Sequence, residues 1–133
     1  MKLYADEEGH EAVRGVGTFV ISCLARVEVP AAIWRKHRIG ELSVDDVAVL
    51  VSDFEADLTG EHGTSRFAVL GLPMPVLDDA ARLVAVHGLQ AYDGVQLASA
   101  LAARAAEPAC DCFACFDDSL RVAAVSEGLT LLP

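Results

Sequence analysis

Apolar positions fall into short continuous runs that alternate with longer stretches at helical spacing. Residues 17–21 (Gly-Thr-Phe-Val-Ile) form a short apolar run and predict a buried strand. Ser22 is the expected cap of a helix over 22–38, with Leu24, Val27, Ala31 and Trp34 on one face and Gly40 ending it. Ser43 and Asp46 make a capping-box-like start for a helix over 44–58. Its stripe is Val47, Leu50, Val51, Phe54 and Leu58, and a loop follows from Gly60 to Ser65. Arg66 to Leu70 reads as a second strand. Pro75 opens a helix to about Val86, closed by Gly88. Tyr92 or Asp93 opens another, reaching about Ala105. Cys112 to Phe116 reads as a third strand, Asp117 caps a helix over 118–127 stopped by Gly128, and Leu129 to Leu132 is a last short strand.

Strands alternating with helices that are apolar on most sides predict an α/β fold with a parallel sheet covered on both faces. Right-handed crossovers then gather the strand C-terminal ends on one edge, where ligands bind in such sheets. The 133 residues suit one domain spanning 1–133. Hydrophobic residues at 53% and charged residues at 23% exclude a disordered chain. No apolar run is long enough to span a bilayer, and the first ten residues are acidic without an apolar core. A cytoplasmic protein with no membrane contact is therefore expected.

The net charge of −10 excludes a general nucleic-acid coat protein. It leaves room for an enzyme that acts on nucleic acid through a bound cation, where carboxylates are required. Three carboxylates stand out. Asp117 directly follows the strand Phe113-Ala-Cys-Phe116, Asp93 lies in the first turn of its helix, and Glu28 sits in an otherwise apolar helical stretch. A magnesium or manganese site at the sheet edge is one reading. The other is that Asp93 and Asp117 are helix caps and Glu28 a rim charge.

Together these stretches resemble the PIN-domain ribonucleases, specifically VapC-type toxins of bacterial toxin–antitoxin pairs. The resemblance is carried by Ser22-Cys-Leu-Ala-Arg-Val-Glu28-Val-Pro-Ala-Ala-Ile-Trp-Arg35, by Leu89-Gln-Ala-Tyr-Asp93-Gly-Val-Gln-Leu-Ala-Ser-Ala-Leu101, by Phe113-Ala-Cys-Phe-Asp117-Asp-Ser-Leu120 and by Glu127-Gly-Leu-Thr-Leu-Leu-Pro133. The resemblance implies a three-layer α/β/α sandwich and a Mg2+- or Mn2+-dependent endoribonuclease. In such an enzyme, metal-activated water attacks an RNA phosphodiester. Glu28, Asp93 and Asp117 fall on the second, third and fourth family carboxylates and would be both catalytic residues and metal ligands. Asp118 and Ser119 would assist. A homodimer, an RNA substrate and a cognate antitoxin are implied partners.

The N-terminus departs from the family. Family members open with a strand of the type Leu-Asp-Thr-Ser-Ala-Leu-Val-Lys-Leu-Tyr, whereas this chain starts at Met1-Lys2-Leu3-Tyr4, without that strand and its aspartate. One expectation is a true start upstream of Met1, since a GTG valine codon also serves as a bacterial start. The alternative is a truncated, non-catalytic PIN module that binds or titrates an antitoxin.

Other residues have simpler accounts. Cys110, Cys112 and Cys115 carry no histidine pair at zinc spacing and read as reduced, buried or edge thiols. His87 is a donor at a helix C-terminus, while His10, His37 and His62 show no ligand spacing. Arg26, Arg35, Lys36 and Arg38 place four of the ten basic residues within thirteen positions. They are either cations favoured at a helix end or RNA contacts, with Arg26 and Arg35 the RNA candidates. Seven acidic residues between Glu41 and Glu61 predict a solvated helix face.

Overall fold

The computed structural model describes residues 19–61, 63 and 65–132. The element order is β1 (Phe19–Ser22), α1 (Ala25–Arg38), α2 (Val44–Thr59), β2 (Phe67–Leu70), α3 (Met74–His87), α4 (Ala91–Ala106), β3 (Cys112–Phe113), α5 (Asp118–Ser126) and β4 (Thr130–Leu131). This is an α/β chain whose described strands form two pairs, β1 with β2 and β3 with β4. No helix of the described residues is long and apolar enough to cross a membrane. The expected first strand's residues 17 and 18, the N-terminal departure at residues 1–4, and His10 and His62 lie outside the described residues.

The chain divides into two compact units. Among the described residues, the first holds Phe19 and Cys23–Ala68, and the second Val20–Ser22 and the chain from Val69 onward. In the first unit, α2 starts as its sequence requires. The Ser43 hydroxyl accepts from the Asp46 N–H at 3.1 Å, and the Asp46 carboxylate accepts from the Ser43 N–H at 2.8 Å. The Ser43 hydroxyl also donates to the Asp46 carboxylate at 2.6 Å, and this bond, followed by the Ser43 N–H, holds the Asp46 carboxyl below its usual value. Gly60 ends the helix in the left-handed region at φ 72°. A Cβ there would stand 2.9 Å from the Ser65 backbone nitrogen, so glycine is required for both space and angle. Val47 and Phe54 are buried, and the Phe54 ring meets Phe67, which in turn meets Phe19. Replacing Ser43 by alanine removes the reciprocal cap. We expect a loss of about 1 kcal/mol in denaturant unfolding.

The start and face of α1 differ from expectation. Ser22 is the last residue of β1, not the helix cap. The cap position is Leu24, which offers no side-chain bond, and a turn through Cys23 carries the first N–H bonds. The stripe of Leu24, Val27, Ala31 and Trp34 does not face the core. Val27 is 70% and Trp34 43% exposed, while Ile33 on another arc is 0% exposed. The reason is that α1 carries two apolar arcs, the second through Val29, Pro30 and Ile33. Helical periodicity identifies both without ranking them.

In the second unit, Pro75 lies at the second position of α3, where its missing N–H costs nothing, and Gly88 closes the helix at φ 66°. Three residues then lead into α4, which packs on α3. Leu83 and Leu97 are fully buried at the centre of a cluster with Ala98, Leu120, Ala124 and Leu129. A parallel β3–α5–β4 unit covers this cluster, with Cys112 opposite Thr130 and Phe113 opposite Leu131. The third strand stops at Phe113, three residues before the expected end. The Cys115 carbonyl is satisfied by the Arg121 guanidinium at 3.0 Å rather than by a neighbouring strand, and the chain is already turning into α5. The last strand likewise shortens to Thr130–Leu131.

Candidate carboxylate site

Two helix starts of the second unit bring two acidic side chains together. Asp117 is the N-cap of α5, and its Oδ1 accepts the Leu120 N–H at 2.9 Å. The capping role expected for it is present. Asp93 is different. It is the third residue of α4, whose cap position is Gln90, so capping does not account for it. Its carboxyl is half-buried, and its pKa is raised above the ordinary 3.8, first by desolvation and then by the negative charge of Asp117. The site therefore holds two mutually repelling carboxylates, one tied to a backbone N–H and one pushed toward its protonated form.

Cys115 completes the surroundings. It is buried, and its thiol is pushed up to about 11, chiefly by burial and further by Asp117 and Asp93, with Arg121 opposing. A thiol so protonated is a poor nucleophile near neutral pH. Cys112 is also raised, by burial, by Asp111 and by Cys110. All four cysteines are free.

The other candidates have separate settings. Glu28 is half-buried on α1, in the first unit. Arg26 reaches Glu55 at 3.4 Å in an exposed ion pair, so its charge is partly engaged. Arg35 is exposed on the last turn of α1. Asp118 and Ser119 are exposed in the first turn of α5, next to Asp117. Among the described residues, no group of three or more His, Cys, Asp or Glu side chains is gathered as a ready metal cage. The Asp93–Asp117 pair nonetheless suits a divalent cation. Magnesium takes one or two carboxylates and keeps its waters, and a cation between these groups relieves the repulsion that raises Asp93.

Asp117→Asn keeps an N-cap oxygen but removes the charge, so the Asp93 pKa falls toward its ordinary value in a carbon-NMR titration. Asp117→Ala also loses the cap, which costs roughly 1 kcal/mol of stability. An Asp93 titration unmoved by Asp117→Asn would show that desolvation alone raises it.

One polar cluster had only a local signal in the sequence. His87 Nε2 lies 2.7 Å from Glu127 Oε1, Arg82 approaches the same carboxylate at 3.7 Å, and Arg104 donates to the Glu127 carbonyl at 2.9 Å. The Asp79–Arg82 pair at helical spacing was readable. The contact of His87 with a residue forty positions away was not. This network ties the end of α5 to α3 and α4. In comparisons with known proteins, the chain matches no family model and no curated protein.

Proposed function

We propose that the chain is a PIN-like, metal-dependent endoribonuclease of the VapC toxin type. The observation that carries the reading is Asp93, a half-buried carboxylate that caps no helix and is kept beside Asp117 at a cost in charge repulsion. Proteins retain such strained acidic pairs where chemistry uses them. The motif resemblance around Asp93 and Asp117 supports the same reading. In it, the two strand pairs belong to a three-layer α/β/α sandwich, and a homodimer works in the cytoplasm under a cognate antitoxin.

Asp93 and Asp117 would hold a Mg2+ or Mn2+ ion. A bound divalent cation supplies a more acidic water and offsets charge on the scissile phosphate. The chain's own residues set the geometry. The Leu120 N–H fixes Asp117 through Oδ1, leaving Oδ2 for a ligand. The partly desolvated surroundings of Asp93 strengthen its attraction for a cation. Arg121, bonded to the Cys115 carbonyl, is a fixed cation in the same neighbourhood.

The test is cleavage of single-stranded RNA by the 133-residue chain. Cleavage with added manganese, abolished by EDTA and restored by more manganese, is the expected result. Cleavage unaffected by EDTA rejects the metal-dependent reading, and none with manganese rejects the enzyme reading. In the second case, binding to an antitoxin without cleavage would identify a non-catalytic module.

A further inference from the structure

Chemistry remains on the exposed arc of α1. At 3.6 residues per turn, Val27, Ala31, Trp34, Arg35 and Arg38 fall within an arc of about 100°, and each is exposed. The arc is therefore an unpartnered strip, apolar at one end and cationic at the other. Of the four basic residues on this helix, Arg26 is paired with Glu55 and Lys36 with Glu41. Arg35 and Arg38 have no ion pair among the described residues. On a chain of net charge −10, two guanidinium groups less than one turn apart and unpaired among the described residues are a local exception.

Trp34 is also held in place. Its ring stands edge-on to His37 at a centroid distance of 5.6 Å and an interplanar angle of 83°. The His37 ring is anchored by Nδ1–H donating to the Leu42 carbonyl at 2.9 Å. The indole is thus a braced flat surface with 43% exposure rather than a freely turning side chain.

A braced indole beside two guanidinium groups with no ion pair among the described residues matches the repeating chemistry of a single-stranded nucleic acid, a flat base next to phosphates. A helical peptide partner would instead need a groove several apolar residues wide, and this strip is one residue wide. We propose that this arc docks single-stranded RNA, with Trp34 stacking on one base and Arg35 and Arg38 holding the flanking phosphates. The choice of RNA over DNA rests on the nuclease reading above. The site replaces Arg26 by Arg38 as the partner of Arg35.

Trp34 is the only tryptophan in the chain, so its fluorescence reports on the site directly. The experiment titrates the 133-residue chain with a ten-nucleotide oligoadenylate in EDTA, which prevents metal-dependent cleavage. Saturable quenching of Trp34 is expected. With a fluorescein-labelled oligoadenylate, anisotropy should show binding weakened about tenfold for Trp34→Ala and largely restored for Trp34→Phe. Arg35→Gln and Arg38→Gln should each reduce the slope of log affinity against log salt by about 0.7. All three side chains are exposed, so circular dichroism should match the parent.

Absence of quenching, or parent-like affinity in Trp34→Ala, overturns the proposal. Equal quenching by a polyglutamate peptide of matched charge also overturns it, because general anion attraction or an acidic protein partner would then account for the strip. The two readings fail separately. Lost binding in the α1 variants with no manganese-dependent cleavage keeps the docking strip and rejects the nuclease. Manganese-dependent cleavage with unchanged binding does the reverse.

Discussion

Asp93→Asn is expected to remove RNA cleavage and to make the protein more stable at neutral pH. The two effects have one origin. The carboxyl is partly desolvated and faces the Asp117 charge, and both raise its pKa above 3.8 in the folded state. A carboxyl raised on folding favours the fold in its protonated form. Its contribution is fully present below pH 3.8 and is lost as pH rises through the raised folded value. At neutral pH the ionised group is therefore a burden, which the isosteric amide removes. The melting temperature should rise slightly at pH 7, because solvent screening keeps the charge contribution of a partly exposed carboxylate small. The gain should vanish by about pH 3, where the parent carboxyl is protonated in both folded and unfolded states. Cleavage should fall by about a hundred- to a thousandfold, as when one electrostatic stabiliser of a transition state is removed. Added manganese should raise the melting temperature of the parent and not of the variant, because a ligand stabilises only the form that binds it. Full cleavage by Asp93→Asn, or destabilisation at neutral pH, would remove the basis of the assignment.

Gly94→Ala should destabilise the second unit, against the ordinary preference of helices for alanine. That preference is worth about 1 kcal/mol. Gly94 is buried at the α3–α4 contact, and a Cβ there would stand 2.5 Å from Val84 Cγ2 and 3.1 Å from the Ala80 carbonyl oxygen. Val84 is β-branched on a helix and has almost one rotamer, and the Ala80 oxygen is backbone. Neither gives way without separating the helices. Overpacking of this kind costs about 1–3 kcal/mol and outweighs the propensity gain. Chemical denaturation of the parent and variant measures the net effect. Because Gly94 follows Asp93, the same displacement moves the carboxylate, and manganese-dependent cleavage should fall further than stability alone explains. A variant as stable as the parent would show that α3 and α4 can separate at no cost.

The local devices were legible because their partners lie within a few residues. Ser43 with Asp46, Asp117 with Leu120, and the left-handed glycines 60, 88 and 128 each act within one helix end. The strands at Cys112 and Leu129 were found in the right place but too long. A strand lasts only where a partner continues, and Arg121 takes the Cys115 carbonyl instead. Ser22 had the right chemistry for a cap but lies in β1, so its position in the sheet overrode its local preference. The buried face of α1 is not legible in the sequence because two apolar arcs share that helix, and only packing against the rest of its unit buries Ile33 and leaves Val27 and Trp34 in solvent.

By itself, then, the sequence determined the α/β order of elements, their caps and stops, and which carboxylates stand at helix starts. These follow from hydrogen bonds and backbone angles that close within one turn. The tertiary structure alone decided that Asp93 stands beside Asp117, that their charges oppose each other, and that Glu127 joins His87 across forty residues. It also decided which arc of α1 meets solvent. Those outcomes depend on long-range packing and desolvation, which no periodicity encodes.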